Sequence, residues 1–270
     1  MTPNLEHHIP RITPILDRLK GKVTLVTGGA AGIGRAIALH FAKEGSDIAI
    51  ADVASCRETT AEEVRALGSR CIAVRADISE REQVEHLVNM VLREFQQIDI
   101  LVNNAGIIVF GSLLECRIKD WDRMLAVDLT GCLHCTQFVG KHMKERNRGG
   151  RMIHVGSTAS LLPTAQQGAY CVAKAGLGML SMMVAMELAP FGVTSNLLCP
   201  GSALTDMNRV LLSDPAVSAR LEARIPLGRL GTTEEIAAAA AFLASDEAAY
   251  ITGAEVVHDG GMTKGALWWR

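Results

Sequence analysis

The sequence predicts an α/β fold in which a parallel sheet is covered by helices on both faces. Three observations carry that expectation. Short, β-branched apolar runs of about five or six residues alternate along the chain with segments of helical spacing, the pattern of strands buried on both sides by crossover helices. A glycine-rich turn, Thr27-Gly28-Gly29-Ala30-Ala31-Gly32-Ile33-Gly34, joins the first run to the first helix. No linker, repeat or low-complexity tract interrupts the alternation, so residues 21–270 read as one domain behind an N-terminal extension of residues 1–20.

Lys22–Thr27 (KVTLVT) is the first strand, and Gly32–Lys43 the first helix, with Ile33, Ile37 and Phe41 on one face. Asp47–Asp52 (DIAIAD) is the second strand and Cys56–Leu67 a helix with a polar face. Arg70–Ala76 is the third strand. Ser79–Phe95 follows as a helix opened by a capping-box-like Ser79/Glu82 pair. Ile98–Asn103 is the fourth strand, and Asp120–Arg146 holds one or two helices. Arg151–Val155 forms the fifth strand, Tyr170–Leu188 a long helix and Val193–Leu198 the sixth strand. Thr205–Arg224 reads as a helical flap, Thr233–Leu243 as an alanine-rich helix and Ala254–His258 as the last strand.

Composition bounds the function. Hydrophobic residues make up 49% and charged residues 21% of the 270, enough for a sizeable core. A formal charge of −2 is no footprint of a nucleic-acid binder. The apolar runs are short and broken by charge or glycine, so no membrane span is expected, and the start has no apolar stretch of signal-peptide length. Seven scattered cysteines fit reduced thiols and a cytoplasmic protein. Cys132 and Cys135 look like half a metal site, but with no second pair and a helical setting they read as buried packing, and no metal is expected.

The residues that carry chemistry lie between Ser157 and Lys174. Tyr170 and Lys174 are four apart, on one face of a helix, so an ammonium can sit beneath a phenol. A free phenol titrates near ~10 and works as an acid or base at neutral pH only where a positive charge favours the phenolate. The Ser157 hydroxyl can hold the oxygen of a reacting alcohol or ketone within reach of the tyrosine. The glycine turn lets backbone amides approach a pyrophosphate at a helix start. Asp52, at the end of the second strand and twenty residues beyond Gly32, can accept hydrogen bonds from ribose hydroxyls and repel a 2′-phosphate, which favours NAD over NADP.

Thr27-Gly28-x-x-x-Gly32-Ile33-Gly34, Asn103-Asn104-Ala105-Gly106, Ser157, Tyr170-x-x-x-Lys174 and Pro200-Gly201, in this order, resemble the short-chain dehydrogenase/reductase family from about Gly21 to Gly261. The resemblance implies a Rossmann-type, doubly wound domain with a seven-stranded parallel sheet, usually assembled as a homotetramer. It implies that Gly28, Gly32, Ile33 and Gly34 face the pyrophosphate, Asp52 the adenosine ribose, Asp77 and Ile78 the adenine, and Asn104 and Gly106 the neighbouring ribose. Tyr170 would be the acid/base and Ser157 would orient the substrate oxygen. Lys174 would bind the nicotinamide ribose and lower the tyrosine pKa, while Pro200, Gly201, Ala203 and Thr205 would hold the carboxamide.

One position departs from the family pattern, which usually has asparagine within Val-Asn-Leu; here Val127-Asp128-Leu129 stands instead. Asp128 can supply the same backbone carbonyl to the proton relay, and its charge can stabilise Lys174 as ammonium if the two are close. The expected reaction is hydride exchange between NAD and a secondary alcohol. The alternatives are an NADP-linked 3-oxoacyl-type reductase and a dinucleotide-binding protein without turnover. Ile108, Thr158, Leu162, Gln167, Met207 and the 205–224 flap are expected to shape the substrate pocket. They favour a neutral polyol, cyclic alcohol or dihydrodiol. Trp268 and Trp269 at the C-terminus are expected at a subunit contact.

Overall fold

A computed structural model of the chain describes residues 17–205 and 214–264. Met207 and the terminal Trp268 and Trp269, for which the sequence carried expectations, lie outside those residues. The strands are β1 (Val23–Thr27), β2 (Asp47–Asp52), β3 (Cys71–Arg75), β4 (Ile100–Asn103), β5 (Gly150–Val155), β6 (Val193–Pro200) and β7 (Glu255–His258). They form one seven-stranded sheet in the order β3-β2-β1-β4-β5-β6-β7, with every pairing parallel. The order reverses between β1 and β4, and in open α/β sheets the crevice at that reversal, beyond the strands' carboxyl ends, is where ligands bind.

The helices are α1 (Gly32–Lys43), α2 (Arg57–Ala66), α3 (Arg81–Phe95), α4 (Ile118–Leu125), α5 (Cys132–Arg146), α6 (Gly168–Leu188), α7 (Pro215–Glu222) and α8 (Thr233–Ala244). Alternating side chains of each strand go to opposite faces of the sheet. Val26, Ile48, Ile50 and Val102 pack under α1 and α8 with Ile37, Phe41, Ala237 and Ala241. Leu25, Ala49 and Leu101 pack on the other side with Leu87 and Val91 of α3 and Val139 and Met143 of α5. The alanines of α8 allow the close approach to α1 that a bulkier face would prevent. The α6 helix and the turn after it are long and apolar enough to cross a bilayer, but α6 lies against β6, and its residues Ala173, Lys174, Leu177 and Val184 are buried.

Three local features differ from the sequence reading. The Ser79/Glu82 capping box does not form: α3 starts at Arg81, after Glu80, and has no side-chain cap. Ser79 is drawn away, donating to Asp77 Oδ1 at 2.7 Å and accepting from Arg123 Nη1 at 2.7 Å. A capping box forms at α8 instead, where Thr232 accepts the Glu235 N–H and Glu235 accepts the Thr232 N–H. The third difference is at the end of the extension. Leu19 is fully buried and Arg18 pairs with the buried Glu44, so residues 17–20 are part of the packed structure.

Between α4 and α5 the chain keeps its helical course through a π-turn, Ala126–Gly131, which carries Asp128. Such one-turn π segments inside helices often re-aim a side chain toward a functional site.

Candidate active site

The carboxyl ends of β1, β2 and β4 open onto a groove of about 330 Å³. Its floor is the glycine turn. Gly34 is required there by close packing, because a Cβ would lie 2.1 Å from the Gly28 carbonyl oxygen and 2.4 Å from Asn104 Nδ2. Asn104 pins the turn by donating to the Thr27 and Gly28 carbonyls at 2.9 and 3.0 Å. Thr27 Oγ1 in return accepts the Asn104 and Ala105 N–H groups. The N-terminus of α1 has no side-chain cap. Its leading amides therefore remain available to an anion, with the helix dipole adding positive field.

Asp52 closes one wall. Its Oδ2 accepts the Ala30 N–H at 3.0 Å and its Oδ1 the Ala54 N–H at 2.9 Å, so the carboxylate is held at the groove's edge. Asp77 and Ile78 line the same end, together with Arg123 of α4. Arg123 Nη2 donates to Asp77 Oδ2 at 2.8 Å. Burial pushes the Asp77 carboxyl up, but the Ser79 and Arg123 donors outweigh it and hold it below the usual carboxylate range. Arg123 had no signal in the sequence: its helix reaches the groove only through the tertiary packing of α4.

At the other end the groove meets Tyr170 and Lys174, one turn apart at the start of α6, and Gly106 and Thr205 line it nearby. Lys174 is 3% exposed. Its Nζ donates to the Val155 carbonyl at 3.1 Å, lies 3.4 Å from Asp128 Oδ2 and stands 5.6 Å from the centre of the Tyr170 ring. Burial works against the ammonium, but Asp128 and Tyr170 beside it hold its pKa above the usual lysine range. Ser157 follows β5 and caps a short 3-10 turn, where its Oγ accepts the Ala159 N–H at 3.1 Å. That bond uses a lone pair, and the hydroxyl also hydrogen-bonds the Tyr170 phenol, whose ionised form it favours.

Most of the expected cofactor residues therefore meet in one groove: Gly28, Gly32 and Ile33, then Asp52, Asp77 and Ile78, then Asn104, Gly106, Tyr170, Lys174 and Thr205. Gly34 lies beneath its floor. Ser157 stands at its edge, next to the lining residue Gly156. Pro200 ends β6, paired with His258. Gly201 and Ala203 line an adjoining cavity of about 290 Å³ with Arg229 and Glu235. Cys132 and Cys135 are buried free thiols packed beside α6 and the sheet.

A family model described as enoyl-(acyl carrier protein) reductase matches residues 28–263. The chain belongs to the short-chain dehydrogenase/reductase family. It is similar to the 3beta-hydroxysteroid dehydrogenase 1 of Eggerthella lenta, 39% identical over 250 residues that cover 92% of this chain and 95% of that protein. It is also similar to the L-rhamnose 1-dehydrogenase (NAD(P)(+)) of Azotobacter vinelandii, 39% identical over 89% of this chain and 96% of the relative. The crystal structure of a short-chain type dehydrogenase/reductase from Mycobacterium marinum superposes with a TM-score of 0.87 at 31% identity, covering 92% of this chain and 97% of that one. As a member of this family the chain is an NAD(P)-dependent oxidoreductase of CH–OH groups.

Proposed function

We propose that the chain is an NAD-dependent dehydrogenase/reductase that interconverts a secondary alcohol and a ketone, with Tyr170 as the acid/base. The observation that carries this reading is that Tyr170 and Lys174 line one end of a groove, with Ser157 hydrogen-bonded to Tyr170 at its edge, while Asp52 closes the other end. An uncapped helix start, a glycine turn that admits no side chain at Gly34 and a carboxylate at the far wall together suit a dinucleotide. Gly28, Gly32 and Ile33 would hold its pyrophosphate, and Pro200, Gly201, Ala203 and Thr205 would border the nicotinamide end. When bound, the dinucleotide supplies the hydride acceptor or donor.

The protein's part is orientation and proton transfer. The Ser157 hydroxyl, beside the Tyr170 phenol, would donate to the substrate oxygen. Tyr170 as phenolate takes the hydroxyl proton in oxidation, and as phenol returns it to the oxygen in reduction. Lys174 supplies the positive charge that favours the phenolate. Following reduced-nicotinamide absorbance with a panel of alcohols and ketones tests the reading. No turnover with any of them would favour a dinucleotide-binding protein without catalysis.

The choice of NAD over NADP is supported by Asp52 and by Arg35. Arg35 is the nearest cation to follow the glycine turn in sequence, and its guanidinium is taken up by Glu63 in two hydrogen bonds of 2.9 and 2.7 Å. Paired NAD and NADP titrations decide the cofactor. A preference for NADP would support a 3-oxoacyl-type reductase.

The exposed apolar residues Phe110, Leu113, Leu114 and Leu162 would rim the substrate side. The rim is tied to Tyr170's helix by the Gly111 N–H, which donates to the Gln166 carbonyl, and by Leu113 packed over Gly168. Ile108, Thr158 and Gln167 lie in the same segments. This apolar rim supports a neutral cyclic alcohol or dihydrodiol more than an open-chain polyol.

Residues 21–270 are read as one dinucleotide-binding domain, supported by a single sheet whose strands run from Val23 to His258. A cytoplasmic setting is supported by seven free thiols. A homotetramer is supported by the exposed stripe Val172, Met179, Met183 and Met186 on α6, which a second copy would cover; sedimentation of a Met183→Lys, Met186→Lys variant tests it.

A further inference from the structure

A fully buried carboxylate lies beside the proton-transfer pair. Asp128 has no exposed surface; its Oδ1 accepts the Ile107 N–H at 2.8 Å and its Oδ2 faces Lys174 Nζ at 3.4 Å. Gly106 closes the remaining side. A Cβ there would come within 2.8 Å of Asp128 Oδ2 and 3.2 Å of Lys174 Nζ, so the missing side chain lets the ion pair sit against the loop after β4. The Tyr170 ring thus faces a compact pair of opposite charges, where a neutral amide at 128 would leave it an ammonium alone.

We propose that Asp128 is a positioning residue that acts through Lys174, clamping the ammonium below Tyr170 and offsetting part of its attraction for the phenolate. The consequence for turnover rests on the reading of Tyr170 as the acid/base. Oxidation, which needs the phenolate, then requires a more alkaline solution than an amide at 128 would allow. Reduction, which needs the phenol, keeps its full rate at neutral pH.

The surrounding groups leave this pair in control. Burial raises the Tyr170 phenol; Lys174 lowers it, Asp128 raises it again, and the Ser157 hydroxyl opposes the rise. Cys171 adjoins the ring. Cys132 of α5, His154 of β5 and Cys199 of β6 also face Lys174. Burial pushes both thiols up to about 12 and His154 down to about 4, so all three are uncharged at neutral pH. Burial also pushes Asp128 up, against Lys174 and the Ile107 N–H.

The chain's composition permits a direct test, because it has two tyrosines and the other, Tyr250, is fully exposed. Phenolate absorbance is titrated in the full-length protein and in Asp128→Asn, with Tyr170→Phe subtracted to isolate Tyr170. The expected result is a Tyr170 midpoint about one pH unit lower in Asp128→Asn, accompanied by a rise of about tenfold in oxidative kcat/KM on the acid limb. Dinucleotide affinity stays within about twofold. Asp128→Ser, smaller and also neutral, carries the same expectation if the amide packs poorly. A midpoint that stays or rises in both variants overturns the proposal. The titration needs no turnover, so its outcome is independent of whether Tyr170→Phe abolishes activity.

Discussion

The carboxylate of Asp52 is tied to the glycine turn it faces: its Oδ2 accepts the Ala30 N–H at 3.0 Å across the gap between β2 and the start of α1. The bond fixes a negative charge beside the place where a ribose would lie. Two like charges about 4 Å apart repel by about 4 kcal/mol at an effective permittivity near 20, less where solvent screens them. Asp52→Asn keeps an oxygen for the turn and removes the charge. The ratio of kcat/KM with NADP to that with NAD is expected to rise about tenfold or more. An unchanged ratio would mean that the carboxylate holds the turn without selecting the cofactor.

Removing the phenol oxygen separates chemistry from binding. Tyr170→Phe keeps the ring over Lys174, 5.6 Å from Nζ, and deletes only the phenol oxygen proposed to carry the proton. Turnover is expected to fall by about 10²–10⁴-fold, the range of a positioned general acid or base. Dinucleotide affinity, read from the quenching of protein fluorescence, is expected to change by less than about threefold. Turnover at the wild-type level would take the acid/base role away from Tyr170.

The glycine turn offers a test of packing. In Gly34→Ala the added methyl meets the Gly28 carbonyl oxygen at 2.1 Å, and both groups belong to the same tight turn. Relief requires opening the turn, at a cost of about 1–3 kcal/mol, with the dinucleotide site lost as well. Gly32→Ala is different in kind. Its methyl meets only Thr205, at 3.8 Å, and the strain comes from φ +53°, costing about 1 kcal/mol. Thermal unfolding and dinucleotide titration of the two variants should therefore rank Gly34→Ala as the more damaging.

How much was legible in the sequence follows from which interactions are local. Gly32–Lys43 and Asp47–Asp52 are read to the residue, because apolar periodicity and flanking turns set them within the segment itself. Tyr170 and Lys174 are neighbours by helical spacing alone. The Ser79/Glu82 cap is a local signature that loses to a tertiary one: Asp77 and Arg123, the latter on a distant helix, capture the serine. Arg123 at the groove and the burial of Leu19 likewise depend on contacts between remote segments. Asp128 stood out in the sequence as a departure from the family pattern. Its distance from Lys174 depended on the path of the π-turn, which periodicity does not reveal.

The cap of α8 gives a pH-dependent stability. Glu235 accepts Arg229 Nη1 and Nη2 at 2.9 and 2.6 Å and the Thr232 N–H at 2.9 Å. The Arg229 hydrogen bonds, with smaller help from Thr232, outweigh burial and pull its carboxyl down to about 2 from 4.5. A depressed carboxyl stabilises the fold fully above its unfolded value and loses that contribution as pH falls through its folded value. The window is therefore from about pH 4.5 down to about 2. Glu235→Gln should cost about 1–2 kcal/mol at pH 7, combining a weakened cap with a lost charge. In denaturant unfolding followed from pH 7 to pH 3, the gap between wild type and Glu235→Gln is expected to narrow below pH 4.5. A gap that stays constant over that range would show that the carboxylate's charge contributes nothing beyond its hydrogen bonds.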